Sequence, residues 1–202
     1  MPNQDLSIII PAKASGTFIL HKVEVLLDYL QAHWQGEFEV VICVNGELGE
    51  VEKTHALLEA KFAHDQRVVL HQHLAPLGKG AALQSAFLKT QYSAIAFIDA
   101  DLPFDLAFLS QAQEALGNGA SLVVGNRRLA SSRVHLPTKL LPSLFKRHVF
   151  GLLYNRAVRL MFGIKQSDTQ CGIKLMTREF ATRLFCHLTC HGFSYDVEMF
   201  LL

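Results

Sequence analysis

The sequence predicts an α/β fold in which an open, mostly parallel sheet carries helices on both faces. The composition is 50% hydrophobic and 18% charged, which excludes a disordered chain and supplies a large core. Short apolar runs alternate with longer segments of helical periodicity through about residue 125, and this alternation is typical of βαβ units. No repeat or linker divides residues 1–202, so we expect a single domain.

Five strands are predicted because each segment is rich in Val or Ile and apolar on both faces, as in buried parallel sheets. They cover residues 6–10, 38–44, 67–72, 94–99 and 121–125. Four segments between them carry apolar residues at helical spacing and predict helices over 23–34, 51–62, 80–90 and 106–116. Because ligands bind at the carboxyl ends of the strands in such sheets, the polar residues that follow the strands form the candidate site.

Charge and targeting patterns narrow the function classes. The chain has 19 Lys and Arg against 18 Asp and Glu, which argues against a nucleic-acid binder because such proteins need a concentrated basic surface. The sequence starts without the pattern of a secretory signal, and no apolar run is long enough to span a bilayer. We therefore expect a cytoplasmic protein with reduced cysteines.

The cluster of Cys186, His187, Cys190 and His191 lacks the second ligand pair that a zinc site needs.

A further helix is predicted near residues 143–162. At about 100° per residue, one narrow arc carries Arg147, His148, Gly151, Asn155 and Arg159, whereas most of the remaining circumference is apolar. Two interpretations stay open. One is a core helix with a solvated stripe, and the other is a basic amphipathic helix that lies on a bilayer surface.

Two carboxylates, Asp99 and Asp101, follow the fourth predicted strand with one residue between them. Paired carboxylates with few other protein ligands suit Mg²⁺ or Mn²⁺, whose remaining positions are filled by water and substrate phosphates. The alternative is a capping role, in which Asp101 or Asp105 caps the helix that follows.

Two basic features point to a bound phosphate. Lys79 stands between two glycines at the start of a predicted helix, where a helix N-terminus and an ammonium group can meet an anion. The segment matches neither the P-loop nor the dinucleotide-binding fingerprint, so a solvent-exposed lysine in a glycine loop stays an alternative. Arg127 and Arg128 directly follow the fifth strand, and the planar fork of one of them is expected to point into the crevice.

Five short motifs occur in the order SIIIPA, VVICVNG, LGKGAAL, IDAD and VVGNRR, followed by DTQCGIKLMTREFATRLF from Asp168 and YDVEM from Tyr195. This series resembles glycosyltransferase family 2, the inverting GT-A enzymes that use nucleotide sugars. Within that family it is most similar to the polyprenyl-phosphate (dolichyl-phosphate) glucosyltransferases and mannosyltransferases. The resemblance covers essentially the whole chain. It implies a nucleotide-sugar-binding half over 1–126 and an acceptor-binding half over 127–202.

The resemblance implies a donor of the UDP-glucose or GDP-mannose type, with Asp99 and Asp101 coordinating Mg²⁺ or Mn²⁺. The implied donor-binding residues are Pro11, Ala12, Asn45, Lys79, Asp99, Ala100 and Asp101. It further implies transfer of a hexose, glucose before mannose, to a polyprenyl phosphate with inversion at C1. Because that acceptor is already an oxyanion, positioning matters more than a strong general base.

On the acceptor side, the resemblance implies that Arg127, Arg133 and Arg147 bind the acceptor phosphate. The implied catalytic residues are Asp101, Arg127 and Asp168, with Asp168 orienting the acceptor or an arginine. A lipid acceptor favours the bilayer interpretation of 143–162 and peripheral contact with the cytoplasmic face of a membrane.

The sequence departs from the family pattern at two strand ends. The first strand ends PAKAS where the family commonly has PAYNE, and the second ends VNGE where DDGS is usual, so two carboxylates on the nucleotide side are missing. Two alternatives therefore stay open: a family 2 enzyme with a saccharide or other soluble acceptor, and a catalytically degenerate nucleotide-sugar-binding domain. The sequence also ends in FSYDVEMFLL without a helix stop signal, so we expect a domain truncated at its C-terminus.

Overall fold

The structure is a computed structural model that describes residues 4–13, 16–74, 78–130, 132, 141–192 and 194–201, with only the backbone described over 141–150. Its strands are β1 Leu6–Lys13, β2 Phe38–Asn45, β3 Val68–His73, β4 Ala94–Ile98, β5 Leu122–Val124 and β6 Ile173–Thr177. Its helices are α1 Phe18–His33, α2 Leu48–Phe62, α3 Lys79–Phe87, α4 Ala107–Gly117, α5 Leu141–Phe162, α6 Arg178–His187 and α7 Tyr195–Glu198.

The strands form one six-stranded sheet in the order β3-β2-β1-β4-β6-β5. The first four strands of that order run parallel, and β6 runs antiparallel to both of its neighbours. The predicted α/β fold with a mostly parallel sheet is therefore confirmed.

Helices cover both faces of the sheet, as predicted, because the apolar strands need a partner on each side. On one face, α1, α2 and α4 bury residues such as Leu26, Leu58 and Leu109 against the sheet. On the other, α3 and α6 pack around Leu83 and Phe185. The candidate site residues that follow the strands lie at the carboxyl edge of this sheet.

Strand β6 is absent from the sequence prediction. It lies between β4 and β5, so a segment from late in the chain separates two strands that are consecutive in sequence. Its sequence IKLMT carries Lys174, which is 1% exposed, at a position where an apolar residue is expected. The insertion places the preceding segment 168–172 beside the end of β4, where Gly172 O accepts a hydrogen bond from Asp99 N at 2.9 Å.

Helix α5 matches the predicted helix, but the described members of its predicted polar arc, Gly151, Asn155 and Arg159, are buried or half-buried. Asn155 is 2% exposed and donates through Nδ2 to Ser167 O at 2.7 Å. The exposed positions are Arg156, which lies outside that arc, and mainly apolar residues, with Leu153, Leu160 and Met161 at 60, 75 and 76%. This arrangement does not fit a core helix with a solvated polar stripe. The basic amphipathic character stays a prediction, because the side chains of 141–150 lie outside the described residues.

In the part of the chain that the structure describes, no helix has the length and apolar character needed to cross a membrane.

Candidate active site

The carboxyl ends of the parallel strands form one edge of the sheet. Lys13, Asn45 and His73 end β1, β2 and β3 and are neighbours in the strand register. Because side chains alternate along a strand and Val41 packs toward α3 and α6, Asn45 and its register neighbours lie on that same face. Asp99 follows β4 at the same edge. The predicted strand-end residues Asn45 and Asp99 therefore share one crevice beside α3.

An ion pair joins the start of α3 to the end of β4. Lys79 Nζ lies 2.5 Å from Asp99 Oδ1, with the two side chains 17 and 34% exposed. Because Lys79 is the first residue of α3, the positive end of the helix lies at the same place. The two motifs that the sequence singles out separately are thus in direct contact.

The turn after β4 presents the second acidic residue. Leu102 N donates to Asp99 O at 3.0 Å, and Leu102 adopts a φ of 47°, which is unusual for a residue with a side chain. Asp101 is exposed within this turn. The capping role falls to Asp105, whose Oδ1 accepts a hydrogen bond from Ala107 N at 2.9 Å.

Asp99 and Asp101 are the candidate metal ligands. Among the described residues, no group of three or more His, Cys, Asp and Glu side chains is arranged to hold a metal ion. Two carboxylates fit Mg²⁺ or Mn²⁺ when phosphate oxygens and water complete the coordination shell. These two carboxylates therefore fit a cation that binds together with a diphosphate.

The expected nucleotide-side residues differ in their accessibility. Pro11 is half-buried and Ala100 is half-buried, whereas Ala12 is fully buried in the core. Asn45 Oδ1 is buried and has no hydrogen-bond partner among the described residues, and the same is true of His73 Nε2. Unpartnered buried polar atoms are rare, so Asn45 and His73 are the side chains with unused hydrogen-bonding capacity in this part of the crevice.

The two glycines around Lys79 serve close packing. A Cβ on Gly78 would lie 2.8 Å from His191 O, and a Cβ on Gly80 would lie 2.5 Å from Cys190 O. The same loop accepts a hydrogen bond from Ala81 N, at 3.1 Å, through His191 O. The segment 190–192 therefore lies directly against the first turn of α3, a contact that the sequence pattern does not predict.

Arg127 and Asp168, which the resemblance assigns to the acceptor side, form a two-pronged ion pair. Arg127 donates from Nε to Asp168 Oδ2 at 2.7 Å and from Nη2 to Asp168 Oδ1 at 2.9 Å. Arg127 Nη2 also donates to Gln170 O at 3.0 Å. The side chain of Asp168 is 1% exposed, whereas that of Arg127 is 53% exposed. The buried Asp168 thus fixes the orientation of the guanidinium, and part of the Arg127 side chain faces solvent.

This contact sets the charge state of both groups. Burial alone would raise the pKa of Asp168, but the hydrogen bonds from the side chain and backbone of Arg127 lower it below its ordinary value. Hydrogen bonding to Asp168 raises the pKa of Arg127. Both groups therefore stay charged at neutral pH.

The loop that carries Asp168 is tied to its surroundings by side-chain amides. Asn155 Oδ1 accepts a hydrogen bond from Thr169 Oγ1 at 3.0 Å, and Asn126 Nδ2 donates to Ser167 Oγ at 2.7 Å. The predicted polar arc of α5 therefore contributes at least Asn155 to the support of this loop.

Three buried residues, Tyr195, Lys174 and Asp196, lie in the motifs DTQCGIK and YDVEM but were not predicted as site residues. The signal that could have found two of them is a lysine within an apolar strand and an aspartate in the short YDVE segment. Of the three predicted phosphate-binding arginines, Arg133 and the side chain of Arg147 lie outside the described residues. Arg127 is the predicted acceptor-side cation that the structure describes.

Comparisons with known proteins agree with this architecture. The chain is 26% identical over 197 residues to glycosyltransferase AglD of Haloferax volcanii, which covers 96% of this chain and 30% of that protein. It is 27% identical over 212 residues to dolichyl-phosphate beta-glucosyltransferase ALG5D of Trichomonas vaginalis, which covers 100% of this chain and 62% of that protein. The chain thus spans less than two thirds of the length of these relatives.

A solved structure of similar fold is glucosyl-3-phosphoglycerate synthase from Mycobacterium tuberculosis in complex with Mn²⁺, UDP-glucose and phosphoglyceric acid. The TM-score is 0.61 at 20% identity, over 97% of this chain and 63% of that one. The architecture is that of the GT-A glycosyltransferases. The sequence model described as "Glycosyl transferase family 2" matches residues 7–185. The resemblance is therefore confirmed, and the chain belongs to glycosyl transferase family 2.

Proposed function

We propose that this chain is the catalytic domain of an inverting hexosyltransferase that moves a hexose, glucose before mannose, from a nucleoside-diphosphate sugar to a polyprenyl phosphate. The observation that carries the proposal is the ion pair of Lys79 with Asp99 beside the exposed Asp101. This constellation sits at the strand ends where ligands bind in open α/β sheets. Similarity to a dolichyl-phosphate beta-glucosyltransferase supports the choice of sugar and acceptor.

On the donor side, Asp99 and Asp101 are the residues that would hold Mg²⁺ or Mn²⁺. When bound, the cation would offset the charge that develops on the nucleoside diphosphate as the C1–O bond breaks. Lys79 supplies a second positive charge at the same point. Pro11, Ala12, Asn45 and Ala100 complete the proposed donor site, as the family resemblance implies.

On the acceptor side, the ion pair of Arg127 and Asp168 supports an acceptor that needs no general base. Because the pKa of Asp168 is lowered and both of its oxygens bind Arg127, Asp168 is a poor proton acceptor at neutral pH. A phosphate monoester arrives already ionised and is matched by a guanidinium. We propose that Asp168 aims Arg127 at the acceptor phosphate, with Arg133 and Arg147 as further cations.

Peripheral contact with the cytoplasmic face of a membrane is part of the proposal. The described part of α5 exposes Leu152, Leu153, Leu160, Met161 and Phe162 at 40, 60, 75, 76 and 49%. The exposed Arg156 lies among these large apolar residues, and apolar side chains beside a cation suit the surface of a bilayer. An acceptor with a polyprenyl tail must be reached at a bilayer, and this face supports such an approach.

The test is a transfer assay with UDP-glucose and GDP-mannose as donors, Mn²⁺ or Mg²⁺, and either polyprenyl phosphate or a soluble saccharide as acceptor. We expect glucose transfer to the lipid phosphate, and a drop of about a hundredfold in Asp101→Asn. The matched control is Asp105→Asn, because Asp105 caps α4 and Asn caps equally well.

Transfer only to the saccharide would favour a soluble acceptor, and nucleotide binding without transfer would favour a degenerate domain. Full turnover in Asp101→Asn would exclude the metal role.

A further inference from the structure

A buried ion pair lies directly behind the candidate metal site. Lys174 in β6 and Asp196 in α7 are 1 and 5% exposed, and Lys174 Nζ lies 2.6 Å from Asp196 Oδ1. Neither residue touches the crevice surface. The pair therefore takes no part in binding a ligand directly.

Stability alone is a poor explanation for such a pair. Removing two charges from water costs several kcal/mol per ion, and apolar replacements of similar volume are often neutral or stabilising. Under α3 and α6 this face of the sheet is packed with apolar residues such as Phe97 and Phe185. A charge pair among them calls for a role that apolar residues cannot fill.

Lys174 contacts the short segment that packs against Asp99. Besides Asp196, Lys174 Nζ donates to Cys171 O at 2.8 Å. The next residue, Gly172, accepts a hydrogen bond from Asp99 N at 2.9 Å, and a Cβ on Gly172 would collide with the Asp99 carboxylate. Lys174 thus fixes the strand end against which the Asp99 side chain rests.

Tyr195, which is 1% exposed, lies between Lys174 and Lys79 and contacts both. The centre of its ring lies 5.5 Å from Lys79 Nζ and 5.8 Å from Lys174 Nζ, within the range of cation–π attraction. Burial, followed by the nearby Asp196 and Asp99 carboxylates, raises the pKa of Tyr195 well above its ordinary value, so its ring stays neutral. Both members of the Lys79–Asp99 pair therefore rest on elements that the buried ion pair holds.

We propose that Lys174 and Asp196 are positioning residues that hold Asp99 and Lys79 in the geometry needed to bind a divalent cation and a nucleoside diphosphate together. This inference rests on the proposed function, because it assumes that Asp99 takes part in cation binding. Lys174 and Asp196 act through Cys171, Gly172 and Tyr195 and contact no ligand.

The test compares wild type with Lys174→Met and with the double variant Lys174→Met/Asp196→Leu. The single variant leaves a buried carboxylate unpaired, whereas the double variant removes both charges and is expected to keep its melting temperature. Three quantities are measured: the melting temperature, the Mn²⁺ concentration that half-saturates UDP binding by calorimetry, and kcat with KM for UDP-glucose. We expect both variants to need about tenfold more Mn²⁺ and to lose about tenfold in kcat.

The matched control is Glu39→Gln, a change in a buried network at the opposite end of the sheet. Glu39 is 3% exposed and accepts a hydrogen bond from Ser7 Oγ at 2.6 Å. We expect this variant to lower the melting temperature without changing the Mn²⁺ requirement. A shift of the Mn²⁺ requirement in Glu39→Gln equal to that in Lys174→Met would show that general destabilisation causes it, which would overturn the proposal.

Recovery of wild-type Mn²⁺ dependence and kcat in the double variant would also overturn the proposal, since the pair would then be structural only. Failure of both variants to fold would also overturn the proposal, because the pair would then be needed for folding. Absence of Mn²⁺-dependent UDP binding in the wild type would instead contradict the proposed function. The wild-type titration therefore separates the two claims.

Discussion

Asp168 is the residue whose surroundings most constrain the chemistry of the site. Its buried carboxylate accepts hydrogen bonds from the side chain and backbone of Arg127 and from Gln170 N. Because each of these donors favours the ionised form, Asp168 is suited to holding an arginine and not to removing a proton from an acceptor. An acceptor that arrives as an anion fits this environment.

Replacing Arg127 by Lys tests this interpretation at the level of one side chain. A single ammonium cannot occupy both Asp168 oxygens as the guanidinium does, so we expect kcat to fall by about a hundredfold. The control is Arg128→Lys, since the Arg128 guanidinium makes only a 3.4 Å contact with Gly151 O among the described residues. Equal losses of kcat in the two variants would contradict a specific role for Arg127.

The same ion pair predicts a pH dependence of stability. The pKa of Asp168 is lowered in the folded chain, so its stabilising contribution is complete above the ordinary value of 3.8 and is lost as the pH falls through the folded-state value. We expect the free energy of unfolding of wild type to exceed that of Asp168→Asn at neutral pH. Urea denaturation should show this difference shrinking below about pH 4. A difference that is constant across this range would contradict the ion pair.

Cysteine reactivity gives an independent check on burial. Burial raises the pKa of Cys43 to about 12, whereas Cys186 is exposed. Because the thiolate is the reactive form, iodoacetamide at neutral pH should modify Cys186 and leave Cys43 intact until the chain unfolds. Mass spectrometry of peptides after timed labelling measures this, and early modification of Cys43 would show that β2 is not buried as described.

At the scale of residues, the sequence motifs predicted individual site residues, but they did not predict which residues contact each other. The sequence identifies Lys79, Asp99 and Arg127 because each follows a strand or opens a helix at the carboxyl edge. It does not identify Lys174 and Asp196 as a pair, since the two are 22 positions apart and only folding brings them together. The polar arc of α5 was recognised, but periodicity alone does not tell which way an arc faces.

At the scale of elements, the packing of α3 depends on glycine. The first turn of α3 lies against the loop 190–192, and Glu198 holds that loop by accepting hydrogen bonds from Thr189 N at 2.8 Å and Cys190 N at 2.7 Å. Helix α7 therefore braces the element that carries Lys79.

Gly80→Ala is expected to disturb this contact. The new Cβ would lie 2.5 Å from Cys190 O and 3.0 Å from His191 O, so backbone must move, at a cost of about 1–3 kcal/mol. Gly49→Ala in α2 is the matched control, because nothing lies within 4 Å of its Cβ. That change should raise the free energy of unfolding by up to about 1 kcal/mol. Thermal denaturation distinguishes the two, and equal stability of both variants would contradict the packing.

The apolar face of α5 predicts membrane binding. Changing Leu153 and Met161 to Glu places two charges on residues that are 60 and 76% exposed, and we expect loss of sedimentation with anionic lipid vesicles. Leu88→Glu is the control, because Leu88 is 80% exposed directly after α3 and does not belong to α5. Undiminished vesicle binding by the α5 variant would contradict the proposed contact.

Elements were predicted wherever the apolar pattern is long and regular. The four parallel strands and α1 to α5 have such patterns, and the structure shifts their ends by a few residues. Strand β6 was missed because Lys174 interrupts its apolar run, and the partner that balances the charge of this lysine, Asp196, comes from a later element. Helix α7 spans 4 residues, too few for periodicity to show.

At the scale of the whole molecule, the strand order explains why one crevice collects distant motifs. Insertion of β6 between β4 and β5 brings the segment 168–172 to the end of β4. The proposed donor residues Lys79 and Asp99 therefore lie beside the segment 168–172, which belongs to the proposed acceptor side. Family membership and the GT-A fold agree with this arrangement.

The most direct test of the central claim is the structure of the product formed from UDP-glucose and polyprenyl phosphate with Mn²⁺. NMR of the purified product reports both the phosphate linkage and the configuration at C1. We expect a glucosyl phosphate linked to the lipid, with the β configuration that inversion of the α-linked donor yields. A product with retained α configuration, or glucose attached to any group other than the phosphate, would contradict it.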